Sequence, residues 1–226
     1  MSNRETLIRL NVGCGLNPAP GYINLDNSPS LIIQKNFLLR ALARVAELSG
    51  HKVYTRFPKG VRRFDITKRL PFTTSSVSVI YSSHMLEHLP RLQAELFLRE
   101  GHRVLAQGGI LRLVLPDLEQ KARDYLKALE APLEPGSIPS DSFIRGTYLG
   151  ADGRKGSQHP IARIRNLVSP DAHLWMWDAK SLGILLQKIG FQNVERKTFG
   201  QSTIAEIDLL DIERRKEESF YIEAQK

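Results

Sequence analysis

The sequence predicts an α/β fold built on a mostly parallel sheet, and three observations carry that prediction. Leu7, Ile8, Leu10 and Val12 read as a short apolar strand that runs straight into Gly13-Cys14-Gly15. Further short apolar runs then alternate with stretches of helical periodicity, the pattern of an α/β chain. Two strand-like runs at 191–199 and 219–224 close the chain. With 226 residues and 42% hydrophobic content, one globular domain over 1–226 is expected. It carries a helical and basic insertion at 28–63 and an irregular cap insertion at 131–177.

The glycine loop comes first. Glycine has no Cβ, so a loop with two of them bends sharply and lets a ligand touch its backbone; an ordinary tight turn is the alternative. Ligands of open α/β sheets sit beyond the carboxyl ends of strands, where this loop lies. Counting G-x-G-x-x-G from Gly13 puts Pro18 in the last place. That argues against a pyrophosphate at a helix start and leaves room for an adenosine joined to an amino acid. Such a ligand calls for an acid at the end of the second strand to grip a ribose, and the run Tyr22-Ile23-Asn24-Leu25-Asp26 ends in one. Pro18 and Pro20 leave space for one helical turn or less between these strands, although a parallel crossover usually takes a dozen or more residues.

After Pro29, residues 31–48 form an apolar helix with Lys35, Asn36, Arg40, Arg44 and Glu47 at helical spacing. Its broad apolar face suits packing on the sheet, which is the reading adopted; a partner and a membrane surface are the alternatives. Residues 52–69 concentrate Lys52, Arg56, Lys59, Arg62, Arg63, Lys68 and Arg69. This run either contacts phosphates or forms a solvated face, and its few aromatics argue against base stacking. Asp65 follows the third strand, as a ligand group or a turn aspartate before Thr67. Val77, Val79 and Ile80 make a buried strand with Ser82, Ser83 and His84 at its carboxyl end, and Met85 opens a helix over 85–89. A helix at 92–104, a fifth strand at 110–115 and a helix at 119–129 come next.

Prolines and glycines then break the pattern through 131–172, with His173, Trp175 and Trp177 directly after. This stretch is either a cap over an acceptor pocket or a variable surface loop. Asp178 and Gly190 bracket a helix as N-cap and C′ residue. The charged stretch 213–218 between the last two strands reads as solvated.

The ordered series from Asn11 to Asp26, through Arg63-Phe64-Asp65-Ile66-Thr67, Val79-Ile80-Tyr81-Ser82-Ser83-His84-Met85-Leu86-Glu87-His88, Arg103-Val104-Leu105, Gly108-Gly109-Ile110-Leu111 and Leu115-Pro116-Asp117, resembles class I S-adenosylmethionine-dependent methyltransferases of the type 11 subgroup. The likeness covers most of 7–118 and, more weakly, 173–226. It implies a Rossmann-like three-layer sandwich with a seven-stranded, mostly parallel sheet and an antiparallel C-terminal strand. It implies S-adenosyl-L-methionine held by Asn11, Gly13, Cys14, Gly15, Asp26, Asn27, Asp65, Ile66, Ser82 and Ser83. Within it, Asp65 accepts from the adenine amino group with Ile66 beside the ring. The expected chemistry is direct in-line methyl transfer, with His84 and then His173 as candidate general bases or as structural histidines. Two positions depart from the family pattern: Asn11 stands where an acid is common, and so does Ser78.

His84-x-x-Glu87-His88 also matches an inverted zinc-peptidase signature. Since His84 abuts a strand and the methyltransferase pattern accounts for the stretch, zinc hydrolysis stays a remote alternative, and no metal is required. Cys14, the one cysteine, reads as a small loop residue, with a reactive thiol as the alternative, and fits a reducing cytoplasm. Residues 1–5 lack a signal-peptide apolar region, and no run suits a membrane span. The net charge of +8 favours acidic partners or simply a basic surface. The expected acceptor is a small molecule or glycan precursor under the cap. An RNA acceptor, with 52–69 joined by Arg154, Lys155, Arg163 and Arg165, is one alternative. A non-catalytic binding protein using 31–48 as an interface is another.

Overall fold

The computed structural model describes residues 8–48, 54–132, 136–149 and 172–226. Seven strands form one sheet: β1 (Ile8–Val12), β2 (Ile23–Asp26), β3 (Val61–Arg63), β4 (Val77–Ser83), β5 (Leu105–Pro116), β6 (Gln192–Lys197) and β7 (Ser219–Gln225). Their order is β3-β2-β1-β4-β5-β7-β6. The first five run parallel, and β7 lies antiparallel between β5 and β6. The chain winds outward from β1 in one direction to β3 and in the other to β5. The carboxyl ends of β1 and β4 therefore flank the point where strand order reverses, the place where such sheets open a crevice. Register sets Val12 beside Ser82 and Val12 beside Leu25, which brings the first two loops and the end of β4 together.

The central strands are buried on both faces, as parallel strands require. On one face Leu10, Val12, Ile80 and Leu113 meet α3 (Arg91–Val104) and α6 (Ala179–Ile189) through Phe97, Leu98, Leu182 and Leu186. On the other, Val79, Tyr81, Val114 and Tyr221 meet Tyr22, Ile204, Ile207 and Leu210. The period-two alternation of β4 and β5 thus splits their side chains between two cores. The helix at 178–189 forms as read: Asp178 accepts from the Ser181 amide, and Gly190 ends it at φ +116°. Turns alone join β1 to β2, in keeping with Pro18 and Pro20.

Five expectations are corrected. Residues 31–48 form two helices, α1 (Ser30–Lys35) and α2 (Phe37–Leu48), because Asn36 is extended and caps the second through the Leu39 amide. Core packing holds for α1, whose Leu31 is buried with Cys14, Phe57 and Val61, but fails for α2, where only Ala43 is buried while Phe37 is 77% and Leu48 89% exposed. Both faces of the sheet are already covered by α3, α6 and the 199–211 segment, so no apolar seat is left for α2. The helix expected at 85–89 is a single 3-10 turn, Leu86–His88, since Pro90 forces Leu89 into extended backbone. The irregular insertion contains α5 (Pro139–Thr147), which begins on a proline and packs on α4 (Leu118–Glu130) with Tyr125 against Phe143. The fifth strand also starts at Leu105 rather than 110, directly after α3. Much of the cap, including Arg154, Lys155, Arg163 and Arg165, lies outside the described residues. No helix among the described residues is long and apolar enough to cross a membrane.

Candidate active site

The glycine loop is held from below by β2. The amides of Gly13 and Cys14 donate to the Leu25 carbonyl at 2.8 and 3.2 Å. Gly15 donates to a carboxylate oxygen of Asp26 at 2.9 Å, and Ser28 donates to the other at 2.8 Å. The two glycines play different parts. Gly13 sits at φ +69°, and a Cβ there would fall 2.4 Å from the Met85 side chain. Gly15, at φ +54°, has open space where its Cβ would be. Close approach is thus made by the protein itself at Gly13, whereas Gly15 faces free volume. Cys14 is buried, and burial followed by the Asp26 charge pushes its thiol up to about 12.

Asn11 is buried, and both of its amide hydrogens go to protein oxygens, the Asn17 carbonyl at 3.1 Å and Asn24 at 2.9 Å. Asn24 in turn accepts from the Ala19 amide and donates to the Ala19 and Tyr22 carbonyls. This buried amide pair braces the loop from 17 to 22, a role for Asn24 that sequence reading missed. Only the Asn11 carbonyl oxygen is left to face a ligand. Asn27 is exposed beside Asp26.

Asp65 lies two residues beyond β3, and the Phe64 amide bonds to the Asp26 carbonyl at 2.9 Å, so the two acidic loops are neighbours. One Asp65 oxygen takes the Thr67 amide and hydroxyl at 3.1 and 2.7 Å. The turn role weighed for this residue is therefore real, and the Thr67 hydroxyl holds the carboxyl below its usual range. Ile66 is buried in the main core. Open volume at Gly15, two carboxylates on neighbouring loops with unspent lone pairs and the Asn11 side-chain carbonyl form an acceptor set that fits the hydroxyls and amine of an adenosine joined to an amino acid.

Across the crevice, β4 ends in buried Ser82 and Ser83. The Arg215 guanidinium donates to the Ser83 carbonyl at 3.0 Å and hydroxyl at 2.7 Å. The 213–218 stretch is thus not simply solvated, because Arg215 turns inward from it; nothing in the local charge pattern distinguishes it from Arg214. His84 holds a left-handed backbone at φ +51°, an uncommon state for a residue with a Cβ. Its Nε2 pairs with the Ser219 hydroxyl at 2.7 Å and its Nδ1 stands 3.5 Å from Glu87. Because the strand ends there, His84 and His88 do not sit one turn apart on an α-helix, so the peptidase geometry is not formed.

Glu87 occupies the middle of this region. It is 0% exposed, and neither carboxylate oxygen has a hydrogen-bond partner. His173 Nε2 approaches it to 4.0 Å, and the His88 and His173 rings meet edge to face at 5.1 Å. The Glu87 carbonyl accepts from Leu174 and Trp175 at 2.8 and 3.1 Å, which pins the end of the cap to this turn. Burial sets the ionisation: it raises Glu87 to about 8 and lowers His84 to about 3 and His173 to about 4, with the charges of Arg215 and His88 adding to the respective histidine shifts. His84 and His173 both approach Glu87, at 3.5 and 4.0 Å. Glu87, the residue between them, was singled out only as part of the peptidase signature.

Residues 10–113 match the methyltransferase-domain family. No curated protein matches the chain. Solved structures similar to it include three S-adenosylmethionine-dependent methyltransferases. The one from Methanosarcina mazei is 21% identical, with 99% of this chain and 93% of that one covered and a TM-score of 0.49. The one from Thermotoga maritima is 15% identical, with 99% and 84% covered and a TM-score of 0.48. The one from Archaeoglobus fulgidus is 14% identical, with 98% and 87% covered and a TM-score of 0.46.

Proposed function

From the premise that this chain is a class I S-adenosylmethionine-dependent methyltransferase, we propose that its acceptor is a glycan-type or other polyhydroxylated small molecule bound beneath the end of the cap. When bound, S-adenosylmethionine supplies a methyl that is already electrophilic. The chain's own residues have to hold, orient and dry the site. Gly13, Cys14 and Gly15 offer backbone, Asp26 and Asn27 suit ribose hydroxyls, and Asp65 suits an exocyclic amine. Ser82 and Ser83 stand at the amino-acid end, with Arg215 fixing Ser83. His84 and His173, both beside Glu87, border the side of the crevice assigned to the acceptor.

One observation carries the choice of acceptor. Tyr148 and Trp175, 58% and 41% exposed, adjoin the buried His173–Glu87 cluster. The Tyr148 ring lies 5.1 Å from the His173 ring, and the Arg91 guanidinium 5.8 Å from the Trp175 ring. Exposed aromatic faces beside converging polar groups suit a ligand with an apolar C–H face and many hydroxyls. The exposure of Arg56, Lys59, Arg62, Arg63, Lys68 and Arg69 favours a second reading, an RNA acceptor reached across the β3 edge. A third, cofactor binding without catalysis, is favoured by the exposed face of α2.

Calorimetric titration with S-adenosylmethionine is the first test. Binding is expected in wild type and is expected to be lost in Gly15→Val and Asp26→Ala. Release of S-adenosylhomocysteine is then followed with mono- and oligosaccharide acceptors. Trp175→Ala is expected to raise KM about tenfold at near-constant kcat, the loss of one stacking contact. Turnover of RNA but not of saccharides would replace the acceptor, and binding without any turnover would favour the third reading.

A further inference from the structure

We propose that Glu87, His88 and His173 bind a divalent first-row transition-metal ion, with zinc the best match to the donor set. One ligand atom from each residue lies within 4.8 Å of the others. A tetrahedral zinc site with bonds near 2.1 Å sets its ligand atoms about 3.4 Å apart, so small side-chain rotations close the gap. A fully buried carboxylate whose two oxygens lack any hydrogen bond is the second, independent observation. Burying such a group unpaired is costly, and an ion bound to one of its oxygens offsets the cost.

The outer groups orient the ligands as metal sites need. His88 Nδ1 stands 3.3 Å from the Ala172 carbonyl, a contact that only an N–H can make, so Nε2 carries the ring's lone pair. His173 Nδ1 lies 3.2 Å from the Met176 sulfur, and its Nε2 points at Glu87. The Glu87 carbonyl, by holding Leu174 and Trp175, fixes the backbone that presents His173. This is not the peptidase signature, since His173 replaces His84 in the ligand set. His84, with Nδ1 3.5 Å from Glu87, stays outside this ligand set. Two imidazoles and a carboxylate leave one position open, so the ion would take an oxygen ligand such as water or a hydroxyl. The inference stands independently of the methyl-transfer reading.

The test uses the full chain stripped with chelator and dialysed, with Co²⁺ and Zn²⁺ alone as probes. Expected are visible d–d bands of four- or five-coordinate Co²⁺ that saturate at one equivalent and vanish when Zn²⁺ is added. Zn²⁺ is expected to raise the Tm of wild type. Glu87→Gln and His173→Ala are each expected to weaken Co²⁺ at least as much as the about 10–100-fold loss typical of outer-shell changes. Wild type alone decides if the variants fail to fold: absence of the visible bands at one equivalent overturns the proposal. Binding that both folded variants retain places the ion elsewhere and also overturns it.

Discussion

Gly13 and Gly15 share a left-handed backbone, yet only Gly13 is crowded, with Met85 where its Cβ would fall. Gly13→Ala is therefore expected to destabilise by about 1–3 kcal/mol through overpacking, plus backbone strain. Met85→Ala in the same chain should recover the packing share, visible as coupling in a double-mutant cycle on Tm or denaturant midpoint. Between the glycines, Cys14 makes a pH-dependent prediction. Its folded value, about 12, lies above the ordinary 9.0, so the neutral thiol contributes stability that is complete below pH 9 and lost as pH rises through about 12. At pH 8 the thiolate is roughly one part in ten thousand. Cys14 should react with a disulfide reagent only slowly in the native protein and at once after unfolding. Immediate native labelling would restore the reactive-thiol reading. At this scale the sequence marked Gly13, Gly15, Asp26 and Asp65 because each follows a strand. It could not mark Asn24 or Arg215, whose partners lie on other strands and loops.

Among elements, α2 departs furthest from expectation. Its apolar periodicity is genuine, but periodicity reports that a face exists and not what covers it. The break at Asn36 and the prior occupation of both sheet faces leave Phe37, Leu38, Leu42 and Leu48 exposed. Phe37→Asn and Leu48→Asn are each expected to change stability by about 0.5 kcal/mol or less, measured by chemical denaturation. A core helix would lose about 2–5 kcal/mol per site instead. The 3-10 turn at Leu86–His88 shows the converse case. A local rule, the restriction before Pro90, overrode the helical reading and turned Glu87 inward.

Across the whole molecule, the C-terminal antiparallel strands are held to the parallel sheet by a buried ion network. Arg112 on β5 is 0% exposed and donates to Asp211 at 2.5 Å, to Glu223 at 2.8 Å and to the Gln201 and Thr198 carbonyls. Arg112→Met leaves Asp211 and Glu223 buried and uncompensated and is expected to cost about 3–5 kcal/mol. Burial raises the Glu223 carboxyl, but the Ser202 hydroxyl, the Thr203 amide and the Arg112 charge outweigh it and hold it below the usual carboxylate value. Its contribution is therefore present above the unfolded value and lost as pH falls through the folded one. Glu223→Gln should flatten the acid limb of the stability–pH curve, read as Tm in buffers below about pH 5.

By itself the sequence determined the order of the seven strands along the chain, the glycine loop, the acid that ends β2 and the acid after β3, and the cap and stop of α6. Each depends on residues within a few positions, through periodicity, proline restriction and capping. Tertiary structure alone decided that Glu87, His88 and His173 converge, that Arg112 is buried with two acids, and that α2 lies outside the core. Those outcomes depend on which strands become neighbours and which faces are already filled. Sheet order and packing settle both over separations that local side-chain pattern does not encode.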